Sequence, residues 1–275
     1  MSTIHSPDYD LLARFPETDD VPLDTPWHRD QIDLLVELAR YYHRDREDCY
    51  VGGNMFVYWD SNDPRKSSGP DFMFLKGVER HRERHIWAVW REDGHFPNAI
   101  VELMSPRTKN KDRKTNKTKY EQVFQTPDYF YYDPETEEFR GWRLVNERYE
   151  ALLPNDQGWL WSEEIGLWLG QWYGPVNGGE MGLWLRFFDP DGNLAPRPEE
   201  EERQRAEAAN ERAEAADEQA NVARMQAETA RKQAEAADQR ADRERIRAEA
   251  ADAEIARLRA LLEQSSDDKD SKTTE

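Results

Sequence analysis

The distribution of glycine and aromatic residues constrains this chain more than any other feature. All 14 Gly, 10 Trp, 11 Tyr and 10 Phe lie before residue 197, whereas residues 199–264 contain no Gly, no Pro and no aromatic residue. A folded core with turns needs the first composition, and an uninterrupted polar helix suits the second. The sequence predicts an irregular leader at 1–26, a folded domain at 27–196, a helical tail at 197–264 and a disordered polar C-terminus at 265–275.

The charge pattern and the cysteine count exclude several classes of protein. The formal net charge is −19 at pH 7, divided into −12 for residues 1–196 and −7 for the remainder. No segment approaches the roughly 18 apolar residues of a membrane-spanning helix, and the acidic N-terminus lacks the pattern of a signal peptide. Cys49 is the only cysteine, which excludes an internal disulfide and a cysteine-based metal site. These features predict a cytoplasmic protein that is not attached to a membrane.

Hydrophobic patterns in the first part of the chain predict both helices and strands. Asp24-Thr25-Pro26 is a helix start signal, and apolar residues follow it at helical spacing up to about Tyr42. A second helix is predicted from about Asn110 to Phe124. β-Branched and aromatic runs predict strands at 50–51, 55–59, 72–75, 86–90, 98–104 and 129–132, followed by an antiparallel meander. The predicted class is α/β, with a mixed central sheet flanked by helices.

The tail carries a seven-residue repeat of small apolar residues. A second column, interrupted by Glu244, lies three residues after the first in each heptad. The first column consists of Ala206, Ala213, Ala220, Ala227, Ala234, Ala241, Ala248, Ile255 and Leu262. This spacing predicts a coiled-coil helix that joins copies of the chain into a homo-oligomer. The alternative is a solvated single helix stabilised by Glu–Arg pairs three and four residues apart.

Two acidic residues occupy positions where a solvated carboxylate is not expected. Asp71 lies between Pro70 and an aromatic strand, and Glu102 lies within the most apolar strand of the domain. A buried carboxylate is costly unless a cation or hydrogen bonds compensate its charge. Two such acids on neighbouring strands predict a site for a hard divalent cation. Alternatively, arginine side chains or backbone amides satisfy each acid separately.

The helix predicted after the Glu102 strand has lysines on the face that packs on the sheet. On an α-helix Lys117, Tyr120 and Phe124 share one face, Lys114 lies one turn earlier on that face, and Lys119 points elsewhere. An ammonium group beside two carboxylates and a metal ion can stabilise the charge that develops in phosphodiester hydrolysis. The alternative is that Lys117 is a solvated member of a basic run.

These residues belong to an ordered set of motifs. Gly69-Pro70-Asp71-Phe72 comes first, then Ile100-Val101-Glu102-Leu103-Met104-Ser105-Pro106-Arg107-Thr108, then Asp112-Arg113 with Lys117 and Tyr120, then Thr126-Pro127-Asp128-Tyr129-Phe130 and Asp133-Pro134. Over about residues 24–196 this set resembles the Uma2 family of bacterial restriction endonucleases, within the PD-(D/E)XK nuclease superfamily. The resemblance implies a restriction-endonuclease-like core, Mg²⁺ as cofactor and hydrolysis of DNA phosphodiester bonds.

The resemblance also implies roles for individual residues. Asp71 and Glu102 match the two acids of the family's motif and would be the catalytic, metal-binding carboxylates. Met104 stands where the superfamily usually has its lysine, two residues after the glutamate. In this family that lysine has moved to the following helix, four residues after the aspartate that matches Asp112.

That helical position holds Asn116 in this chain, and Lys117 follows it directly. The catalytic lysine is therefore assigned to Lys117, with Lys114 as the alternative.

The stretch from residue 107 to residue 119 has a net charge of +6 and is expected to contact DNA phosphates. Its candidate nucleic-acid-binding residues are Arg107, Lys109, Lys111, Arg113, Lys114 and Lys119. The sequence thus predicts a Mg²⁺-dependent endonuclease with a coiled-coil tail. The alternative is a non-catalytic protein that keeps the nuclease fold, binds a partner and assembles through its tail. Met104 and Asn116 favour this second hypothesis, whereas the retained acids oppose it.

Overall fold

The computed structural model describes residues 12, 14–17, 25–104, 115–176, 179 and 181–270, with side chains up to residue 260. Among the described residues, those up to Glu201 form one compact unit and those from Glu202 form a second. Most of the predicted leader lies outside the described residues. Within it, Phe15 is buried and its ring lies 5.0 Å from that of Tyr58.

The first helix, α1, spans Pro26–Tyr42. Thr25 caps it, because the Thr25 side chain accepts a hydrogen bond of 3.1 Å from the backbone N–H of His28, and Pro26 occupies the first turn. Its buried face includes Ile32, Leu35 and Leu38. The start signal read from the sequence therefore predicts the beginning of this helix correctly.

A mixed six-stranded sheet forms the centre of the first unit. Only β6 and β7 are parallel in this sheet, and the other neighbouring strands are antiparallel. In spatial order its strands are β1 (Cys49–Gly53), β4 (Phe72–Lys76), β6 (Ala99–Leu103), β7 (Asp128–Asp133), β8 (Glu138–Val145) and β9 (Arg148–Ala151). The predicted class, α/β with a mixed central sheet, is confirmed.

Two three-stranded sheets accompany the central one. The first contains, in spatial order, β3 (Ser67–Ser68), β2 (Val57–Tyr58) and β5 (Trp87–Ala88). The second contains β10 (Leu160–Ser162), β11 (Leu167–Pro175) and β12 (Met181–Phe188), all antiparallel. The sequence predicts one antiparallel meander around residues 141–143, 149–152 and 159–161, but the structure divides it: the first two segments are β8 and β9 of the central sheet, and the third is β10 of this sheet.

The two faces of the central sheet bury different apolar residues. Alternate side chains of β4 divide between them: Phe72 and Phe74 join the core that contains α1 and the β10–β12 sheet, whereas Met73 and Leu75 join a second core. Tyr120 and Phe124 pack in this second core. The helical segment after β6 therefore covers the face from which Glu102 projects, since Glu102 lies two residues after Ile100 of the same core.

Among the described residues that segment starts with π-helical residues 115–116, continues as α2 (Lys117–Lys119) and ends as a π-helical turn, Tyr120–Phe124. Gln125 ends it in the left-handed region with φ 51°, and the N–H groups of Gln125 and Thr126 both donate to the carbonyl of Tyr120. The expected helix start near Asn110 lies outside the described residues. The π-helical geometry, which the sequence pattern does not predict, puts more residues into each turn and changes which side chains face the sheet.

The C-terminal helix, α3, spans Pro198–Asp270, which is 73 residues. It continues six residues beyond the predicted end at residue 264, because this polar stretch contains no Gly or Pro that would interrupt it. Ion pairs at i, i+4 spacing join Glu228 to Lys232 at 2.7 Å and Arg231 to Glu235 at 3.0 Å. The predicted long helix is confirmed, and its coiled-coil pairing stays a prediction. Within the described part of the chain, no helix is long and apolar enough to span a membrane.

Candidate active site

Asp71 is held at the start of β4 by hydrogen bonds to both of its carboxylate oxygens. Oδ2 accepts a hydrogen bond of 2.7 Å from the backbone N–H of Leu103, and Oδ1 lies 3.0 Å from Nε2 of His28 on α1. The Asp71 side chain is only 14% exposed. Because Leu103 directly follows Glu102, the amide contact ties Asp71 to the strand end that carries the second acid.

Glu102 lies on β6 and is 5% exposed. The hydroxyl of Tyr120 donates a hydrogen bond of 2.5 Å to its Oε1, and Nδ2 of Asn116 lies 3.4 Å from the same oxygen. Burial, followed by the charge of Glu102, raises the pKa of Tyr120 well above its ordinary value. The Tyr120 hydroxyl therefore keeps its proton and acts as a donor, which offsets part of the cost of burying the carboxylate.

A hydrogen-bonded chain extends from this contact to a lysine. Ser68 Oγ lies 3.0 Å from the Tyr120 hydroxyl, and the ammonium of Lys119 donates to Ser68 Oγ at 3.0 Å. Lys119 also lies 3.4 Å from Oδ1 of Asn116. We call Ser68, Glu102, Asn116, Lys119 and Tyr120 the Glu102 network.

The structure places Lys117 and Lys119 differently from the sequence prediction. Lys117 packs against the sheet, but its ammonium lies 4.1 Å from the ring centre of Trp142 on β8. Burial lowers the pKa of Lys117, and the charge of Glu121 partly opposes this shift. The prediction that Lys119 points away from the site is wrong, because Lys119 contacts Ser68 and Asn116.

The position of the helical segment over β6 explains this difference. Asn116 and Tyr120 both contact Glu102, so they form the side of the segment directly above β6. Lys119 and Lys117 flank that side and lean in opposite directions. Lys119 leans toward Ser68, which precedes β4, and Lys117 leans toward β8.

Most of the predicted nucleic-acid-binding residues cannot be placed. Five of them lie outside the described residues: Arg107, Lys109, Lys111, Arg113 and Lys114. Lys114 is also the alternative catalytic lysine, so that assignment stays a prediction. Lys119 is the described member of that set, and it belongs to the Glu102 network.

The two acids are brought to one end of the β4–β6 pair. The antiparallel register pairs Phe72 with Val101, and Asp71 and Glu102 are the chain neighbours of this last pair. Within residues 25–104, 115–176 and 181–260, no cluster of three or more His, Cys, Asp or Glu side chains is arranged to bind a metal ion.

The family model supplies independent information about this arrangement. The model of the Uma2 family, described as "Putative restriction endonuclease", matches residues 19–177, more than half of the chain, and covers the strands that carry both acids. The chain belongs to the Uma2 family. No curated protein matches the sequence significantly. A crystal structure described as "a putative nuclease belonging to DUF820" from Anabaena variabilis aligns with a TM-score of 0.43 and 13% identity, over 57% of this chain and 89% of that chain.

Several residues around the acids of this Uma2 protein have no distinct signal in the sequence. His28 is one of six histidines and lies in the first turn of α1, and only the fold brings it to Asp71 across 43 positions. Ser68 lies in a turn-rich stretch, and its contact with Tyr120 spans 52 positions. Tyr120 was expected to pack on the sheet, but its hydroxyl contact with Glu102 depends on the π-helical turn.

Proposed function

We propose that this Uma2 protein is a Mg²⁺-dependent endonuclease that hydrolyses phosphodiester bonds of DNA. The observation that carries the proposal is the hydrogen bond of 2.7 Å from the Leu103 N–H to Asp71 Oδ2, which holds Asp71 beside the residue that follows Glu102. Family membership supports a nuclease, since the family model is described as a restriction endonuclease. The metal, the DNA substrate and the residue roles are part of the proposal.

The donor atoms present fit Mg²⁺. Asp71 and Glu102 supply hard carboxylate oxygens, and Mg²⁺ is commonly bound by one or two carboxylates together with water and substrate phosphate. The carbonyl of Leu103, between the two acids in the chain, is a further oxygen donor in the proposed site. A bound Mg²⁺ would polarise the phosphate and lower the pKa of a water molecule.

The residues of the Glu102 network orient the acid and contribute positive charge. Tyr120 and Asn116 hold one oxygen of Glu102 and so fix the direction of the other. Among the described lysines, Lys119 is joined to this network through Ser68 and Asn116. We therefore assign to Lys119, rather than Lys117, the ammonium that stabilises the developing negative charge.

Single isosteric substitutions test the proposal. Asp71→Asn and Glu102→Gln keep the size of each side chain but remove the negative charge, and each should lower the Mg²⁺-dependent cleavage rate of supercoiled DNA by about 100-fold or more. Asp48→Asn is the matched control, since the Asp48 side chain is 63% exposed and pairs with Arg46. Cleavage at the parental rate by Glu102→Gln, with folding intact by circular dichroism, contradicts the proposed site.

A second candidate function is a non-catalytic binding or scaffold protein with the same fold. Met104 and Asn116 favour it, because they occupy both positions where the superfamily and the family place the lysine. The purified protein is incubated with single-stranded and double-stranded DNA and RNA, with Mg²⁺ and with a chelator. Binding without any Mg²⁺-dependent cleavage supports this second function, and cleavage that the chelator stops supports the nuclease.

We also propose that α3 pairs with a second copy of itself. In a parallel, in-register coiled coil, positions that flank the apolar columns bring opposite charges together in three places: Arg212 with Asp217, Arg247 with Asp252, and Glu254 with Arg259. Arg240 and Arg245 form a like-charged pair beside Glu244, whose carboxylate offsets part of their repulsion. The Ala columns bury little surface, so this association is expected to be weak.

A further inference from the structure

A row of polar side chains crosses the central sheet from Glu102 toward its far edge. The parallel register pairs Glu102 with Tyr131 on β7, and the antiparallel register pairs Tyr131 with Arg140 on β8. Directly paired residues project from the same face of a sheet. Neighbouring strands are about 4.8 Å apart, so the backbone of Arg140 lies about 10 Å from that of Glu102.

Arg140 is the exposed end of this row. Its side chain is 62% exposed, donates to Oε1 of Glu138 at 2.8 Å and interacts with Tyr131. A solvated arginine–carboxylate pair of this kind contributes little to stability, so the guanidinium can reorient toward an anion at small cost.

Next to the row of Glu102, Tyr131 and Arg140, Lys117 provides a second cation beside the ring of Trp142. Trp142 pairs with Tyr129, their rings stack at 5.5 Å, and Trp142 also lies 5.5 Å from the ring of Tyr131. The ammonium of Lys117 lies 4.1 Å from the centre of the Trp142 ring. Aromatic rings interleaved with Lys and Arg are the residue types with which proteins contact a nucleic-acid strand.

We propose that Lys117, Trp142 and Arg140, packed around the buried Tyr131, form a strip that binds one substrate strand on the β8 side of the scissile phosphate. Successive phosphates of one strand advance by about 3.4 Å along the axis of a duplex, so a duplex whose axis follows this row would place about three nucleotides between Glu102 and Arg140. Lys117 and Arg140 contact backbone phosphates, and the half-buried ring of Trp142 lines the path between them. This inference rests on the proposed nuclease function, because Glu102 marks the position of the scissile bond.

Binding measurements as a function of salt test the strip separately from catalysis. The full chain carrying Glu102→Gln is titrated with a fluorescein-labelled DNA duplex, the corresponding single strand and an RNA duplex, and anisotropy reports binding. Arg140→Gln and Lys117→Met should each weaken DNA binding by about 5- to 30-fold at low salt. Each should also lower the slope of log K against log salt by about one, which loss of a structural contact does not do.

Arg65→Gln is the matched control, since Arg65 is also exposed and also pairs with an acid two residues earlier, Asp63 at 2.9 Å. It should bind as the parent does, and Arg140→Lys should keep the parental salt slope. DNA binding with an unchanged slope in both Arg140→Gln and Lys117→Met overturns the strip and leaves the nuclease proposal standing. If the chain without any substitution neither binds nor cleaves any of the probes, both the strip and the nuclease proposal are contradicted.

Discussion

Hydrogen bonds compensate the burial of two carboxylates, Glu102 and Asp71, beside apolar strands. Each is compensated by hydrogen bonds among the described residues: Tyr120 and Asn116 donate to Glu102, and the Leu103 amide donates to Asp71. The sequence alternative of arginine side chains or backbone amides describes the Leu103 contact of Asp71, whereas the donors to Glu102 are a hydroxyl and a side-chain amide. These contacts also leave the metal hypothesis in place, because both acids lie at one strand end.

The roles of the two lysines lead to different kinetic predictions. Lys119→Met removes the ammonium joined to the Glu102 network and should lower kcat by about 100-fold. Lys117→Met should mainly raise KM, because Lys117 lies over Trp142. Steady-state cleavage of a labelled duplex measures both constants.

Lys232→Met on α3 is the control for these two variants, since Lys232 is 73% exposed and pairs with Glu228. A large loss of kcat in Lys117→Met together with a parental kcat in Lys119→Met reverses the assignment. The original sequence prediction would then be correct.

His43 predicts a pH dependence of stability. Burial, followed by the charge of Arg46, lowers the pKa of His43 to about 4 from its ordinary value of 6.5. Between these pH values the His43 imidazole is therefore protonated in the unfolded chain but not in the folded chain. The contribution of His43 to the free energy of unfolding is fully present above about pH 6.5 and is lost as the pH falls toward 4.

His43→Phe removes this titration while keeping a ring in the buried position beside Phe74. The loss of unfolding free energy between about pH 7 and about pH 5 should shrink by about 1 kcal/mol, after allowance for solvent screening. Urea unfolding at the two pH values measures it. An identical loss in parent and variant contradicts the role of His43.

At the scale of elements, the sequence predicts strands and helices better than it predicts which side chains meet. The Thr25-Pro26 signal, the buried strand around Glu102 and the long tail helix follow local rules of capping, periodicity and composition. The π-helical turn does not, since its hydrogen bonds to the Tyr120 carbonyl depend on packing against the sheet. The facing of Lys117 and Lys119 was mispredicted because it depends on the position of the segment over β6, where Asn116 and Tyr120 contact Glu102.

The packing between β8 and the sheet that contains β10 leads to a stability prediction. A methyl group at Gly141 would lie 2.6 Å from Cδ1 of Phe130 and 3.0 Å from Cδ1 of Leu160, both in the larger core. Gly141→Ala should lower the free energy of unfolding by about 1–3 kcal/mol, measured by urea denaturation.

Gly69→Ala is the control for this substitution, because the nearest atom to an added methyl there is 3.5 Å away. A Gly141→Ala protein as stable as the parent would show that Phe130 and Leu160 move aside without cost.

At the scale of the whole molecule, composition alone separates the chain into its two parts. The loss of Gly and aromatic residues near residue 197 coincides with the start of α3 at Pro198. The six-stranded order was not predictable, because β1 pairs with β4 and β4 with β6 across intervening segments. The acidic pair was found from the burial pattern, whereas its partners His28 and Ser68 required the fold.

The heptad columns of α3 predict concentration-dependent self-association. Ala227→Glu with Ala230→Glu places charges in the proposed seam and should give a monomer of about the chain mass, 32.4 kDa, by light scattering. The parent should show a higher mass that rises with concentration. Ala215→Glu with Ala236→Glu, outside the seam, should behave as the parent does. A monomeric parent at high concentration favours the solvated single helix with its i, i+4 ion pairs.

The central claim is that Asp71 and Glu102 together bind the catalytic cation. A crystal of the full chain grown with Mn²⁺, which substitutes for Mg²⁺ at oxygen sites and scatters anomalously, tests this claim directly. An anomalous peak is expected within coordination distance of both carboxylates, and it should be lost in Glu102→Gln. The contrary result is a metal at another site, with only hydrogen bonds at Asp71 and Glu102, in a crystal of protein that cleaves DNA with Mn²⁺.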